Sequence, residues 1–216
     1  MKIVLMGNPN VGKSVIFSRL TGTSVIASNY PGTTVEFLKG TMKLGKEKVE
    51  VFDAPGVYSL EPTSKAEEVA VKILEGGDLI INVVDATHLE RNLYLTLQLL
   101  EKNIPIIVAL NLWDESKHKG IEIDKEKLEN LLGIPVVPTV AVTGEGIKEL
   151  VSRIPEARAG NLKLTDDERW KKIGEIIKEI QKVSHRHHTF IETLGDASVK
   201  PLTGIPIALG ILLLTF

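Results

Sequence analysis

The chain of 216 residues contains no cysteine, which excludes disulfide frameworks and thiolate metal sites and is compatible with a reducing compartment. It has no marked excess of charge of either sign: 26 Lys and Arg stand against 28 Asp and Glu, a net of −2. That balance argues against non-specific nucleic-acid binding, which needs a basic surface. A secretory signal is missing too. The first apolar run, Ile3 to Met6, is four residues long and leads into a Gly-rich turn, whereas a signal core needs about 7–15 apolar residues. Internal repeats and low-complexity stretches are absent. What is there is an ordinary globular composition, 43% hydrophobic and 25% charged, long enough for one sizeable core and a small appendage.

Short apolar runs bounded by Gly, Pro or charge recur at 2–6, 48–53, 78–85, 104–111 and 134–142. Most are continuous rather than alternating, the pattern of parallel strands covered on both faces. Helical patterns fill the intervals at 13–21, 65–75, 89–102, 124–132 and 146–153. This alternation predicts a doubly wound, mostly parallel α/β domain. Residues 39–51, "KGTMKLGKEKVEV", read as a hairpin turning near Gly45, which adds one antiparallel edge strand. After "IPEARAGN" (154–161) the texture becomes helical. Thr165 stands as an N-cap before acidic residues, with apolar positions at 170, 173, 176, 177 and 180. From Asn161 onward there are 8 Lys and Arg against 7 Asp and Glu, so this is no basic nucleic-acid module. The expected division is 1–158 for the α/β domain, 159–195 for a small all-helical domain, and 196–216 for a further segment.

"GNPNVGKS" (Gly7, Asn8, Pro9, Asn10, Val11, Gly12, Lys13, Ser14) fits G-x-x-x-x-G-K-[ST] between an expected strand and an expected helix. In that setting backbone N–H groups and the helix N-terminus cradle phosphate, Lys13 reaches the β- and γ-phosphates, and the Ser14 hydroxyl ligates Mg2+. The loop speaks for a nucleotide and is silent on the base. "NLWD" supplies N-x-x-D at a strand end. The Asp114 carboxylate can accept two hydrogen bonds from guanine N1–H and its amino group, with Asn111 reaching N7 and tying loops together. A site whose buried polar groups go unpaired with the wrong base rejects it. "DAPG" follows a strand: Asp53 can hold Mg2+ through water, and the Gly56 N–H can sense the γ-phosphate. "NYPGTTVE" offers Thr34 as the second hydroxyl ligand of Mg2+, with Thr33 as the fallback. "VAVTGEGI" would close the base pocket with Val140, Ala141 and Val142, chiefly through the Ala141 backbone. Val57 follows the D-x-x-G with an apolar side chain that cannot hydrogen-bond to an attacking water.

The set resembles a P-loop GTPase domain of the translation-factor-related class. More narrowly, it is similar to the cytosolic N-terminal part of the ferrous iron transport protein B (FeoB) family. "DAPGVYSLEP" matches that family's D-x-P-G-x-Y-S-L, and "VVDATHLERNLYLTLQLLE" (83–101) is close to its V-V-D-A-T-N-L-E-R-N-L-Y-L-T-L-Q-L, with His88 in place of Asn. The resemblance covers essentially the whole chain, and "DASVKPLTGIPI" looks like the entry into the family's membrane region. It implies GTP hydrolysis on the cytoplasmic face of the inner membrane, serving Fe2+ uptake, with residues 159–195 coupling nucleotide state to the pore. Implied cofactors are GTP or GDP, Mg2+ and K+. Implied partners are the chain's own transmembrane region, a homo-oligomer and small accessory transport proteins, with no nucleic acid. In similar GTPases an Asn at the position of Asn10 helps hold K+ near the phosphates, where it acts like an arginine finger; a turn-favouring Asn is the alternative. Val140 departs from the Ser that many GTPases place before the Ala. Two other readings stay open, a soluble translation-factor-class GTPase acting on RNA or the ribosome, and a regulatory GTPase switch that transports nothing.

The last twelve residues, from Ile205, carry no charge. As a helix they would rise about 18 Å against roughly 30 Å of bilayer hydrocarbon. They read as a first membrane helix cut short, so that the chain is expected to be a fragment; a docking helix is the rival. His185, His187 and His188 in "SHRHH" invite a metal reading, but His185 and His188 without a carboxylate or Cys make a poor Fe2+ site. A solvated or dipole-compensating helix end is favoured. Trp113, Tyr30 and Trp170 are expected to be packing residues, and Glu67 and Glu68 a solvated helix face.

Overall fold

Continuous apolar runs make the middle of the sheet, and polar or Gly-rich ones its margins. In chain order the elements are β1 (Lys2–Gly7), α1 (Lys13–Thr21), β2 (Val25–Asn29), β3 (Glu36–Leu44), β4 (Glu47–Asp53), α2 (Lys65–Glu75), β5 (Leu79–Asp85), α3 (Leu89–Leu100), β6 (Pro105–Asn111), α4 (Trp113–His118) and β7 (Ile121–Ile123). They continue with α5 (Lys125–Leu132), β8 (Val136–Pro138), α6 (Ile147–Arg153), β9 (Arg158–Ala159), α7 (Asp166–Ile180) and β10 (Gln181–Val183). The computed structural model describes residues 1–22, 25–183, 198, 205 and 206. The histidine cluster at 185–188 and nearly all of the apolar stretch from 205 lie outside these residues. Among the described residues no helix is long and apolar enough to cross a membrane.

The main sheet has the order β2-β3-β4-β1-β5-β6-β8. Strand β1 pairs in parallel with β4 and β5, and β6 in parallel with β5 and β8. Every residue of β5 is buried, as a run with no polar face must be. One apolar core lies under α2, α3, α5 and α7 and a second under α1 and α6, so helices cover both faces. The expected doubly wound, mostly parallel sheet is the observed one. The hairpin also forms, β3 pairing antiparallel with β4 around Gly45, at φ 60°. Its strand is not the edge, however. Strand β2 adds outside β3, and β9 adds antiparallel to β6. Both are short and mostly exposed, so they carry no buried apolar pattern to read.

The run at 134–142 yields a strand only at Val136–Pro138. Beyond it Gly144 and Gly146 adopt φ of 88° and 77°, and Val140 bridges back to Glu145, turning the chain into a loop. Helix α7 begins in a Thr165–Glu168 capping box. Its buried stripe is Arg169, Ile173, Ile176 and Ile180, while Trp170 is 49% exposed against the Tyr94 ring. Arg169 lies inside because Glu101, Asp166, the Leu164 carbonyl and the Tyr94 ring all receive its guanidinium. Residues Met1–Val183, α7 included, form one compact unit. Glu67 is not simply part of a solvated face: as the third residue of α2 it caps the helix by accepting from Thr63 and Ser64. Those bonds, the Thr63 hydroxyl first, hold its carboxyl below the usual range.

Candidate functional site

The chain leaves β1 at Gly7 and enters α1 through two left-handed residues, Asn10 (φ 65°) and Gly12 (φ 86°). Gly12 has no substitute. A Cβ there would lie 2.3 Å from the Asn111 amide nitrogen. That contact is the centre of the site, because the fully buried Asn111 at the end of β6 joins three segments. Its Nδ2 donates to the Val11 carbonyl at 2.8 Å, and its Oδ1 accepts the Ala141 N–H at 3.0 Å and the Thr139 hydroxyl at 3.2 Å. The phosphate loop, the N-x-x-D strand end and the 140–145 loop are therefore one hydrogen-bonded assembly.

The D-x-x-G segment docks on the same loop. Val57 N–H donates to the Gly7 carbonyl at 3.1 Å, and a Cβ at Gly56 would meet Pro9 at 2.9 Å. Val57 itself is completely buried, so its side chain belongs to the core. Beside this contact the Lys13 ammonium meets the Asp53 carboxylate at 2.5 Å, both nearly buried. Two adjoining cavities open here, of about 340 and 310 Å3. Lys13, Ser14 and Gly56 line both; Asn8, Pro9 and Asn10 line the first, and Asp53 the second. Together they form a polar trough of the size that ligand sites take. Asn8 is 1% exposed, and neither polar atom of its side chain has a hydrogen-bond partner among the described residues. A smaller apolar cavity near Tyr30, Phe37 and Phe52 holds none of these groups.

The two hydroxyl candidates separate clearly. Thr33 donates to the Tyr30 carbonyl and accepts from Val35 N–H within a turn, whereas Thr34 is exposed two residues before Glu36 of the trough. Asp114 stands exposed in the first turn of α4, behind Leu112, which is left-handed at φ 60°. A non-glycine residue held there costs on the order of 1 kcal/mol, and such strain gathers at functional sites. Trp113 and Tyr30 pack against the core. Val140 and Ala141 are buried and Val142 is 72% exposed, so the loop meets the exterior at its tip.

Two contributors carry no signal in the linear sequence. Thr139 completes the Asn111 cluster, and Arg19 reaches the carbonyls of Ala141 and Val142 from α1. The long 83–101 match finds its explanation in the β5–α3 connection. Asp85 accepts from Thr87 and contacts His88 Nδ1 at 2.9 Å; Asn92 accepts the Asp85 N–H and donates to the His88 carbonyl; Thr96 donates to Asn82. These residues build a turn, and His88 occupies its place in it.

With the geometry described, three comparisons bear on it. A family model described as ferrous iron transport protein B matches residues 1–154. Among curated relatives, the Fe(2+) transporter FeoB of Legionella pneumophila (strain Paris) is 48% identical over 153 residues, which is 68% of this chain and 20% of that protein. An Fe(2+) transport protein A/Fe(2+) transporter FeoB fusion protein of Porphyromonas gingivalis is 44% identical over 167 residues, 76% of this chain and 20% of that protein. The chain thus spans about a fifth of the length of these relatives. Among solved structures, the cytosolic domain of L. pneumophila FeoB superposes with a TM-score of 0.78 at 35% identity, over 84% of this chain and all of that one. The cytosolic domain of the T. maritima FeoB iron transporter in its GMPPNP form gives a TM-score of 0.74 at 28% identity, over 84% and 99% of the two chains.

Proposed function

Because the chain belongs to the ferrous iron transport protein B family, we propose that it is the cytosolic GTP-hydrolysing module of a ferrous iron transporter. The observation that carries this reading is the Asn111 cluster, which ties the phosphate loop to the loop expected to close on the base. In this reading the trough takes the phosphates. The backbone N–H groups of 7–14 and the start of α1 face them, and Lys13 exchanges its contact with Asp53 for the β- and γ-oxygens. Gly56 N–H meets the γ-phosphate. Asp114, free of protein partners among the described residues, receives guanine N1–H and the amino group, and Val140, Ala141 and Val142 close over the base.

The donor set suits magnesium. Ser14 and Thr34 are exposed hydroxyls, and Asp53 supplies a carboxylate. No group of three or more His, Cys, Asp or Glu suited to a metal occurs among the described residues, in keeping with an ion held by one or two carboxylates together with phosphates and water. When bound it neutralises charge building on the phosphates. Asn10 offers a neutral amide oxygen at the exposed rim, a donor that suits K+. With Val57 turned into the core, turnover without an added cation should be slow, about 10⁻⁴–10⁻² s⁻¹. Hydrolysis is expected to rise in KCl over NaCl at matched ionic strength, and Asn10→Ala to erase the difference. Equal rates in the two salts would leave Asn10 a turn residue.

For the base, Asp114→Ala should weaken GTP and GDP binding at least tenfold, since bidentate recognition is worth about 1–3 kcal/mol; unchanged affinities by titration calorimetry would remove Asp114 from the site. Residues 159–195 are proposed to pass nucleotide state to a transmembrane region of the same protein on the cytoplasmic face of the inner membrane. A homo-oligomer is proposed too. The fusion relative supports a small accessory transport protein as a further partner.

A further inference from the structure

The loop from Val140 to Glu145 closes largely on itself. Val140 N–H donates to the Glu145 carbonyl at 3.0 Å, and Gly144 N–H and the Thr143 hydroxyl both donate to the Val140 carbonyl, at 2.8 and 3.2 Å. The next two carbonyls, of Ala141 and Val142, both meet one side chain. Arg19 Nε donates to the Ala141 oxygen at 3.0 Å and Nη2 to the Val142 oxygen. The fork of a guanidinium fits two consecutive carbonyls, and a point-charge ammonium does not. Glycine at 144 is required by its left-handed φ of 88° rather than by space, since a Cβ there would stand 3.7–3.9 Å from the guanidinium, an ordinary van der Waals contact. On its other side Ala141 gives its N–H to Asn111. The two peptide planes flanking Ala141 are thus each fixed by a side chain from another element.

We propose that Arg19 is a positioning residue for the guanine base: it clamps the 140–145 loop in its closing position and so sets the rate of nucleotide release. The proposal rests on the reading of Asp114 and the 140–142 segment as the base site. Its logic lies in helix α1. The first turn carries Lys13 and Ser14 of the phosphate loop, and its last turn carries Arg19. Six residues along a helix are about 9 Å. A single rigid element therefore grips the phosphate end with one terminus and the base loop with the other. With the clamp in place a bound base leaves only when the loop lifts off Arg19. The clamp acts on retention more than on encounter, because affinity differences among variants of one site fall mainly in the dissociation rate.

The test is stopped-flow release of a fluorescent GDP from the whole chain, with Arg19→Ala and Arg19→Lys beside the unmutated protein. Loss of this two-pronged, partly exposed, charge-assisted contact should accelerate release roughly three- to tenfold, with association changed by less than about twofold. Arg19→Lys, able to reach one carbonyl, should fall between. The amides of 141–145 should exchange hydrogen faster in Arg19→Ala while the melting temperature holds, and KM for GTP should rise by a larger factor than kcat falls. A structural defect alone would lower the melting temperature and reduce apparent kcat through the folded fraction, leaving KM where it was. Release from Arg19→Ala at the unmutated rate overturns the clamp and leaves the base site standing. An unmutated chain that retains ADP as long as GDP overturns the base site, and the clamp with it.

Discussion

Lys13→Ala is expected to abolish GTP hydrolysis, with turnover falling by about two to three orders of magnitude, the usual loss when a preorganised charge is removed from a transition state. The ammonium sits at the junction of both cavities, and its only ion-pair partner among the described residues is Asp53. Removing it has a second consequence. Asp53 is 5% exposed and would be left as an uncompensated buried carboxylate, a change that destabilises by several kcal/mol. The two effects separate experimentally. Lys13→Ala combined with Asp53→Asn should recover most of the lost melting temperature and none of the hydrolysis. A Lys13→Ala protein that turns over GTP normally would mean that the phosphate loop is read wrongly.

Asn111→Ala should produce the largest loss of stability and of guanine affinity together. The substitution orphans the Val11 carbonyl and frees the Ala141 N–H and the Thr139 hydroxyl from their shared acceptor. Each buried group left unpaired costs about 1–3 kcal/mol, so the three sum to roughly 3–9 kcal/mol of a total that is usually 5–15 kcal/mol. Urea denaturation should show the midpoint falling by that share. Asn111→Asp is the sharper probe, because a carboxylate accepts from Ala141 and Thr139 and has nothing to donate to Val11. It should keep the 140–145 loop and lose its tie to the phosphate loop. Unaltered midpoints and affinities in both variants would show that the three segments are held by something else.

Phosphate chemistry was legible in the linear sequence because its groups are consecutive. A loop that wraps an anion uses successive N–H groups, so Gly7 to Ser14 must be adjacent in the chain, and "DAPG" and "NLWD" must lie at strand ends. The central strands were legible for a similar reason, since full burial erases the alternation that marks a half-exposed strand. What was not legible depends on partners far along the chain. Arg19 is 122 residues from Ala141, and nothing in "FSRLTG" distinguishes it from a solvated helix residue. Glu67 looks like one more surface acid until its caps on Thr63 and Ser64 are seen. On α7 the apolar positions pointed to Trp170 as core, yet the buried place at that turn belongs to Arg169, because Glu101, just past the end of α3, and Asp166 at the helix start compensate its charge. Strand β2 escaped notice because it is held by backbone pairing with β3 and buries almost nothing.

A guanine-specific nucleotide site built on the Asn111 cluster can be checked by titrating the unmutated chain with GTP and with ATP in the presence of Mg2+. GTP should bind at least tenfold more tightly, since adenine offers Asp114 neither the N1–H nor the 2-amino group it needs. Equal affinities for the two nucleotides would contradict it.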